Sequence, residues 1–258
     1  MLTAGIDVGS LVTKAVLLDQ DRIMSYDVLG TGVNAEEATK KVMDSVLTKA
    51  GISFDDIASI VSTGVGKKKV PYESEQATEI VCDASGARHL FPDANGVIDI
   101  GAESCRAIKF DSGGNIIDFA LNDKCASGTG IFLDAMAKAL RVKPEEMGEL
   151  SLQSTQDIEV TSMCSVFAES EVVSMIHRKM PKNDILKGIH KSIASRIYGL
   201  TNRILLEGNL VVLGGIAGNT GLITILRELM NSKLIVPDEP KIVGALGAAL
   251  LAREKEGS

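Results

Sequence analysis

Hydrophobic and polar positions along the chain follow two periods in turn. Alternation with period two predicts strands, and apolar residues three or four apart predict helices. In the first part of the chain the predicted strands cover residues 3–8, 13–19, 22–29 and 57–62, and the predicted helices cover residues 35–50 and 74–90. The first helix is preceded by Asn34, which suits an N-cap, and followed by Gly51, which suits a left-handed C-terminal residue.

The strand pattern then restarts. Residues 6–16 (Ile-Asp-Val-Gly-Ser-Leu-Val-Thr-Lys-Ala-Val) align with residues 98–108 (Ile-Asp-Ile-Gly-Ala-Glu-Ser-Cys-Arg-Ala-Ile). One inserted residue later, residues 23–26 align with residues 116–119. A repeated three-strand meander, with a basic residue at the same offset in both copies, indicates an internal duplication with a period of roughly ninety residues.

The rest of the chain alternates helices and strands. The predicted helices cover residues 131–140, 166–176, 184–207, 221–230 and 243–254, and the predicted strands cover residues 209–213 and 233–236. Strands followed by alternating helices and strands, twice over, predict an α/β protein with two related halves. The first half is predicted to comprise residues 1–94 and 243–258, and the second residues 95–242.

Each copy of the meander places an Asp near the end of its first strand and a Gly-containing turn after it. Such a turn presents backbone N–H groups to a phosphate, and the Asp can hold Mg²⁺ directly or through water. One Asp-x-Gly turn more often merely links two strands, but two facing copies would clamp a polyphosphate. The first jaw is Asp7 with Gly9, Ser10, Leu11, Val12, Thr13 and Lys14, and the second is Asp99 with Gly101, Ala102 and Glu103.

A pair of glycines, Gly214-Gly215, stands between a predicted strand and a predicted helix. Glycine there allows the backbone to approach a flat or anionic ligand, and after two phosphate jaws it fits an adenosine site. Taken together, these features resemble the actin, Hsp70 and sugar-kinase superfamily, which has a duplicated ribonuclease H-like fold. Its members bind ATP in the cleft between their two halves. Residues 244–249 (Gly-Ala-Leu-Gly-Ala-Ala) resemble the last helix of that superfamily, which packs back on the first half.

Two cysteines, Cys125 and Cys164, each stand just before a predicted helix. The positive end of a helix dipole favours a thiolate, so the pair suggests binding of a soft metal. From the spacing alone, two buried cysteines acting as small hydrophobic residues are the favoured explanation.

The residues around these cysteines resemble a known family. Residues 122–130 (Asn-Asp-Lys-Cys-Ala-Ser-Gly-Thr-Gly) and 162–171 (Ser-Met-Cys-Ser-Val-Phe-Ala-Glu-Ser-Glu) resemble the two signature segments of the 2-hydroxyacyl-CoA dehydratase activators. That family includes the ATPase subunits of benzoyl-CoA reductase and the reductases of double-cubane-cluster proteins, and the resemblance covers essentially the whole chain. It implies ligation of one [4Fe–4S] cluster by Cys125 and Cys164. Because such a cluster usually takes four thiolates, two per chain are most simply completed by a two-fold homodimer.

The resemblance also implies a function. An activator of this type takes an electron from ferredoxin or flavodoxin and passes it, with ATP hydrolysis, to a partner dehydratase at low potential. Asp7, Asp99 and Glu103 would manage Mg²⁺ and the attacking water, while the adenosine of ATP or ADP would be bordered by Gly214, Gly215, Gly218 and Lys241. The partner could instead be a double-cubane-cluster protein or benzoyl-CoA reductase. A small-molecule kinase with incidental cysteines and a non-catalytic sensor of nucleotide and cluster are two competing hypotheses.

This sequence departs from the family's pattern at several nucleotide positions. Leu11 replaces a hydroxyl residue of the first hairpin, and residues 102–106 replace the typical Gly-Gln-Asp and Lys. Gly218 and Lys241 stand where relatives often carry glutamines. Of the other cysteines, Cys105 aligns with Thr13 and is expected near the nucleotide, and Cys82 is expected in the core.

Composition excludes some partners. The net charge of -7, the pI of about 5.1, the aromatic content of 3% and the absence of Trp argue against a nucleic-acid-binding surface. No stretch is long and apolar enough to predict a membrane span, and the N-terminus enters a strand without a signal-peptide pattern. We therefore expect a cytoplasmic protein, in which the cysteines serve as ligands or core residues and not as disulfides.

Overall fold

The computed structural model describes residues 1–122, 129–160 and 165–256. The chain divides into two compact units, unit 1 (residues 1–94 and 237–258) and unit 2 (residues 95–236). The strands are β1 (Leu2–Val8), β2 (Val12–Asp19), β3 (Arg22–Gly30), β4 (Ser59–Thr63), β5 (Glu75–Gln76), β6 (Gly96–Ile100), β7 (Cys105–Phe110), β8 (Ile116–Asn122), β9 (Gly208–Leu213) and β10 (Ser232–Ile235). The helices are α1 (Ala35–Ala50), α2 (Glu79–Leu90), α3 (Gly130–Leu140), α4 (Met147–Leu152), α5 (Ser165–His177), α6 (Lys182–Asn202), α7 (Thr220–Leu229) and α8 (Val243–Glu256).

The two units are built on equivalent sheets. Unit 1 has the strand order β3-β2-β1-β4-β5, and unit 2 has β8-β7-β6-β9-β10. In each sheet the first three strands form an antiparallel meander, and the fourth strand pairs in parallel with the first. A register shift between the second and third strands falls at Leu17/Leu18 in one sheet and at Lys109/Phe110 in the other. The duplication predicted from residues 6–16 and 98–108 therefore extends to all five strands.

Unit 1 is packed on both faces of its sheet. Helix α1 covers one face with Val42, Met43 and Val46, all fully buried. Helix α8 covers the other face and approaches β1 so closely that a Cβ on Gly5 would lie 1.9 Å from the carbonyl oxygen of Ala245. Glycine is required at position 5 because any side chain would push the helix away from the sheet.

Unit 2 has a larger core. Helix α6 contributes an apolar stripe that the periodicity of the sequence predicts, and its members are buried: Ile185, Ile189, Ile193, Ile197 and Leu200. Ile204, predicted on the same stripe, is also buried but lies beyond the end of α6. Helices α3, α4 and α7 pack around the same cluster through fully buried side chains such as Phe132, Met147 and Leu222. None of the helices in the described part of the chain is both long and apolar enough to span a membrane.

Three element predictions need correction. Helix α2 begins at Glu79 and not at Ser74, because Thr78 caps it and residues 75–76 pair with β4 instead. Helix α6 ends at Asn202 and not at residue 207, and the chain then passes through a left-handed Leu205 into β9. The short helix α4 was not predicted.

Candidate functional site

In each unit an Asp on the central strand is paired with a cation on the neighbouring strand. Asp7 lies opposite Lys14 across β1 and β2, and the Lys14 Nζ donates to Asp7 Oδ2 at 2.6 Å. Asp99 lies opposite Arg106 across β6 and β7, and their side chains also form an ion pair. All four side chains are largely buried, with 10–14% of their surface exposed. The basic residue at the same offset in both sequence copies is thus the partner of the carboxylate.

The turns that follow these aspartates are built alike. The N–H of Gly9 donates to the carbonyl of Val12 at 3.1 Å, and the N–H of Gly101 donates to the carbonyl of Ser104 at 2.9 Å. Within the turns, Leu11 and Glu103 are exposed. The two predicted phosphate jaws therefore have the same backbone frame.

The residues that follow the two turns point inward. Thr13 is buried, and its hydroxyl lies 2.9 Å from that of Thr31, which in turn donates to the carbonyl of Gly9. Cys105, which occupies the equivalent position in β7, lies in the core of unit 2, where burial raises the pKa of its thiol well above the ordinary value. Thr13 thus stabilises the turn that begins at Gly9 through its hydrogen bond with Thr31.

Each paired aspartate also packs on the glycine that directly follows the parallel neighbouring strand. A Cβ on Gly64, just after β4, would lie 2.5 Å from Asp7 Oδ1 and 2.5 Å from the carbonyl oxygen of Val8. A Cβ on Gly214, just after β9, would lie 2.6 Å from Asp99 Oδ1 and 2.3 Å from the equivalent carbonyl oxygen. Both glycines have positive φ, +88° and +93°. Glycine is therefore required at positions 64 and 214, because a side chain there would overlap the carboxylate of Asp7 or Asp99.

Gly64 is a site residue that sequence reasoning missed. The sequence does contain a signal, because a glycine directly follows a short apolar strand in both halves, at Gly64 and at Gly214. The alignment of the two copies ends at the third strand and does not include this equivalence. The parallel pairing of Asp7 with Thr63 and of Asp99 with Leu213 establishes it.

Asp83, a buried residue of α2, is a second site residue that sequence reasoning missed. A Cβ on Gly244, in the first turn of α8, would lie 2.9 Å from Asp83 Oδ1 and 3.6 Å from Asp7 Oδ2. Both carboxylates thus face the start of α8 in unit 1. The neighbouring Cys82 is buried with a pKa raised to about 12 by burial, which agrees with its expected place in the core.

The predicted adenosine residues fall into two groups. Gly215 and Gly218 lie in the loop after β9 and are exposed, and no described atom lies within 4 Å of the position of a Cβ on either glycine. Lys241 belongs to unit 1, in the segment that leads into α8. The loop of residues 214–219 therefore offers open space for a ligand to contact its backbone.

The first turn of α3 is bonded directly to the second phosphate jaw. The N–H groups of Gly130 and Ile131 donate to the carbonyls of Gly101 and Ala102, both at 3.0 Å. A Cβ on Gly130 would also lie 3.6 Å from Ile216, in the loop after β9. The start of α3 is thus held between the second hairpin and the loop of residues 214–219.

The two predicted cluster ligands, Cys125 and Cys164, lie outside the described residues. The described chain resumes at Thr129, before α3, and at Ser165, the first residue of α5. Helices α3 and α5 pack against each other in unit 2. The helices that follow the two cysteines are therefore neighbours. Two thiolates per chain, if both cysteines supply one, would be half the ligand set of a [4Fe–4S] cluster.

Asp7 and Asp99 suit binding of a Mg²⁺ ion that is also coordinated by the phosphates of a bound ligand. In the part of the chain that the structure describes, no three or more His, Cys, Asp or Glu side chains form a group that could hold a metal ion. Mg²⁺ typically uses one or two carboxylates together with phosphate and water oxygens, and does not need a complete protein cage. Asp7 and Asp99 can each supply one such carboxylate.

Comparison with known proteins adds independent information. Residues 4–252 match the model of the BadF/BadG/BcrA/BcrD ATPase family. The chain is 41% identical over 255 residues to the activator of lactoyl-CoA dehydratase of Anaerotignum propionicum, and the match covers 98% of both chains. It is 34% identical over 268 residues to a benzoyl-CoA reductase component of Thauera aromatica, covering 96% of this chain and 92% of the relative.

A solved structure gives the same result. The activator of the 2-hydroxyisocaproyl-CoA dehydratase from Clostridium difficile, described with bound ADPNP, superposes with a TM-score of 0.94 and 37% identity. The match covers 100% of this chain and 96% of that one. These similarities confirm the predicted family resemblance and the predicted duplicated α/β fold.

Proposed function

Because the chain belongs to the BadF/BadG/BcrA/BcrD ATPase family, we propose that it is an ATP-hydrolysing activator that delivers single electrons to a partner enzyme. The electron would come from reduced ferredoxin or flavodoxin and would go to a 2-hydroxyacyl-CoA dehydratase. Cys125 and Cys164 of two copies of the chain would hold the [4Fe–4S] cluster between these two partners. The cluster, when bound, supplies one-electron storage. The residues of the chain bind the nucleotide, hold the cluster and link the two.

The observation that carries this proposal is the bonding of α3 to the second hairpin. Gly130 and Ile131 stand shortly after the segment that contains Cys125, and their N–H groups are bonded to Gly101 and Ala102. A nucleotide phosphate that moves the second hairpin would therefore move the start of α3 with it. This supports a mechanical path from ATP to the cluster segment through two hydrogen bonds.

At the nucleotide end, Asp7 and Asp99 would orient Mg²⁺ and the attacking water, and Glu103 lies exposed at the turn beside Asp99. The backbone N–H groups of the two turns would hold phosphate oxygens. Lys14 and Arg106, already paired with the aspartates, add positive charge close to the developing negative charge.

At the cluster end, Cys125 and Cys164 would supply two thiolates, and a second copy would supply two more. Exposed apolar side chains follow or precede the two cysteine segments in the sequence. Ile117, Phe119 and Leu121 of β8 are 55%, 48% and 39% exposed, and Phe167 of α5 is 69% exposed. Two copies of the chain would bury such side chains between them, so their exposure supports a homodimer with the cluster on its axis.

The energetics justify the use of ATP. Lowering the potential of a one-electron donor by ~300 mV costs about 7 kcal/mol. A conformational change driven by ATP hydrolysis can supply about this much free energy. Thermal fluctuation of the protein without a nucleotide reaches it only rarely.

A second candidate differs in the partner. The similarity to the benzoyl-CoA reductase component favours an aromatic-ring reductase as the electron acceptor, and reduction of a double-cubane-cluster protein requires the same chemistry. Reconstitution of the reduced protein with each type of partner, with ATP present or absent, distinguishes these acceptors by their product.

The central test is the iron content of cysteine variants purified without oxygen. We expect Cys125→Ser and Cys164→Ser to lose iron and sulfide but to keep ATP binding. Cys82→Ala and Cys105→Ala serve as matched controls and should keep the cluster, because both thiols are buried in the described structure. A retained cluster in the Cys125 variant, or an iron-free protein with phosphotransferase activity, would contradict the proposal.

A further inference from the structure

A buried histidine, His190, joins three helices of unit 2. It lies on α6 with none of its surface exposed. Its Nδ1 is 2.9 Å from the hydroxyl of Ser151 on α4, and its Nε2 is 3.2 Å from the amide nitrogen of Asn219, which precedes α7. The three helices pack against one another around this contact.

The other hydrogen bonds of Asn219 and Ser151 determine which atom donates in each contact with His190. The Asn219 Oδ1 accepts from the N–H of Leu222 at 3.0 Å, so its amide nitrogen faces Nε2 as the donor. The Ser151 hydroxyl donates to the carbonyl of Gly148 at 2.7 Å, so it accepts from Nδ1. A neutral imidazole with its proton on Nδ1 satisfies both partners, and the other tautomer satisfies neither.

The environment favours this neutral form. Burial lowers the pKa of His190 to about 4, so the imidazole stays uncharged near neutral pH. A proton on Nε2 would face the amide hydrogens of Asn219 and break the bond. The surroundings are also closely packed, since a Cβ on Gly221 would lie 2.1 Å from Ser151 Oγ and 2.9 Å from His190 Nδ1.

Asn219 closes the loop of residues 214–219. Two overlapping turns build that loop, with the N–H of Ala217 bonded to Gly214 at 3.3 Å and the N–H of Asn219 bonded to Ile216 at 3.0 Å. A glycine-rich loop loses much conformational freedom when a ligand orders it, so a fixed end lowers the cost of binding. Asn219 is fixed in two ways, because it caps α7 and bonds to His190.

We propose that His190 is a positioning residue for the loop of residues 214–219, and that nucleotide affinity depends on the hydrogen bond it accepts from Asn219. This inference rests on the proposed function in one respect, the assignment of Gly214, Gly215 and Gly218 to the adenosine of ATP. His190 is fully buried, so it would not contact the nucleotide directly. It acts through Asn219, so its loss should weaken binding without slowing the chemical step.

Two isosteric substitutions separate the two hydrogen bonds of His190. In His190→Gln the side-chain amide reaches about where Nε2 lies and can accept from Asn219. In His190→Asn the amide reaches about where Nδ1 lies and serves Ser151 instead. We expect His190→Asn to raise the KM for ATP about five- to tenfold with kcat unchanged, the effect of one lost hydrogen bond, and His190→Gln to restore most of that affinity.

The second arm tests Asn219 directly. Asn219→Ser keeps an N-capping oxygen but is too short to reach His190. It should raise the KM as much as His190→Asn does, and the double variant should be no worse than either single one. Ser154→Ala is the matched control, because it removes hydrogen bonds to Gln156 and Asp184 near α6 without touching His190, and should leave the KM unchanged.

A spectroscopic measurement needs no variant. The chain has three histidines, so long-range ¹H–¹⁵N correlation spectra of protein labelled at histidine can resolve His190. We expect the Nδ1–H tautomer and no titration between pH 5 and pH 8. An Nε2–H tautomer, or a folded His190→Asn variant with an unchanged KM, would overturn the proposal. Failure of the adenosine assignment would look different, because the unsubstituted protein would then bind no ATP analogue. Failure of the electron-delivery proposal would appear as an iron-free protein and would leave the KM comparison unchanged.

Discussion

The third strands of the two sheets, β3 and β8, occupy equivalent places but have different surroundings. Tyr26 and Val28 of β3 pack against the cluster formed with α8. Their counterparts by strand register, Phe119 and Leu121 of β8, are about half-exposed. Among the described residues, the same face is therefore covered within unit 1 and only partly covered in unit 2.

The loops after β4 and β9 carry their further glycines at different positions and in different surroundings. Both begin with a glycine that supports the Asp carboxylate. In unit 1 the chain then turns back on its own hairpin, where a Cβ on Gly66 would lie 2.5 Å from a methyl group of Val8. In unit 2 the position of a Cβ on Gly215 has no described atom within 4 Å.

These differences distinguish the shared framework of the duplication from its specialised parts. The Asp–cation pair and the glycine beneath it occur in both units, so they belong to the common frame. The open loop and the open strand face occur in unit 2 among the described residues, and they are where we expect a nucleotide and a second copy of the chain to bind.

The largest effect should come from the shared carboxylates. Asp7→Asn and Asp99→Asn keep the size of the side chain but remove the negative charge that would orient Mg²⁺ and water. We expect each to lower the kcat of ATP hydrolysis by about 10²- to 10³-fold. Asp111→Asn, in the exposed turn after β7, is the control and should be fully active. A much larger loss from one Asp than from the other would show that the two jaws are not equivalent.

The supporting glycines should come next. Gly64→Ala and Gly214→Ala place a methyl group against the carboxylate and force a left-handed alanine, which together should lower the free energy of unfolding by about 2–4 kcal/mol. Gly51→Ala is a matched control, because it has a φ of +69° and no described atom within 4 Å of its Cβ position. It should cost about 1 kcal/mol. Equal losses in all three variants, measured by urea unfolding, would contradict the carboxylate contact.

An aromatic-to-serine substitution should affect self-association on β8 but thermal stability on β3. Phe119→Ser should weaken self-association about tenfold, because a large apolar side chain is removed from the proposed dimer surface, and should leave thermal stability nearly unchanged. Tyr26→Ser should lower thermal stability instead, because Tyr26 packs beneath α8. Sedimentation velocity and calorimetry measure the two quantities. Unchanged self-association of the Phe119 variant would exclude this face from the interface.

The smallest effect should come from Gly215, in the loop after β9. Gly215→Ala has room for its methyl group and should keep its stability, but it should raise the KM for ATP severalfold by covering the backbone that faces the ligand. Gly66→Ala should lower stability by about 1–3 kcal/mol because of the contact with Val8. A Gly215 variant with an unchanged KM would remove this glycine from the nucleotide site.

The sequence predicted the frame of the molecule better than its details. Period-two alternation placed the first meander, and the repeated Asp-x-Gly placed Asp7 and Asp99 at equivalent points of two sheets. Gly64 and Asp83 were not predicted because their roles depend on contacts between segments that are distant in sequence. The periodicity of the sequence does not report such contacts. The hydrogen bonds of His190 were not predicted for the same reason, because the position of a single histidine in a predicted helix does not identify its hydrogen-bond partners.

The close approach of α8 to β1 has a consequence for how the protein is made. Ala245, Leu246 and Ala249 complete the core above Val16 and Leu18, so unit 1 is assembled from two segments with unit 2 inserted between them. During translation the first meander leaves the ribosome early and must wait for α8, whereas unit 2 is continuous and can close first. We therefore expect the half that begins the chain to be the last to become protease-resistant, because its closing contacts join residues as distant as Gly5 and Ala245.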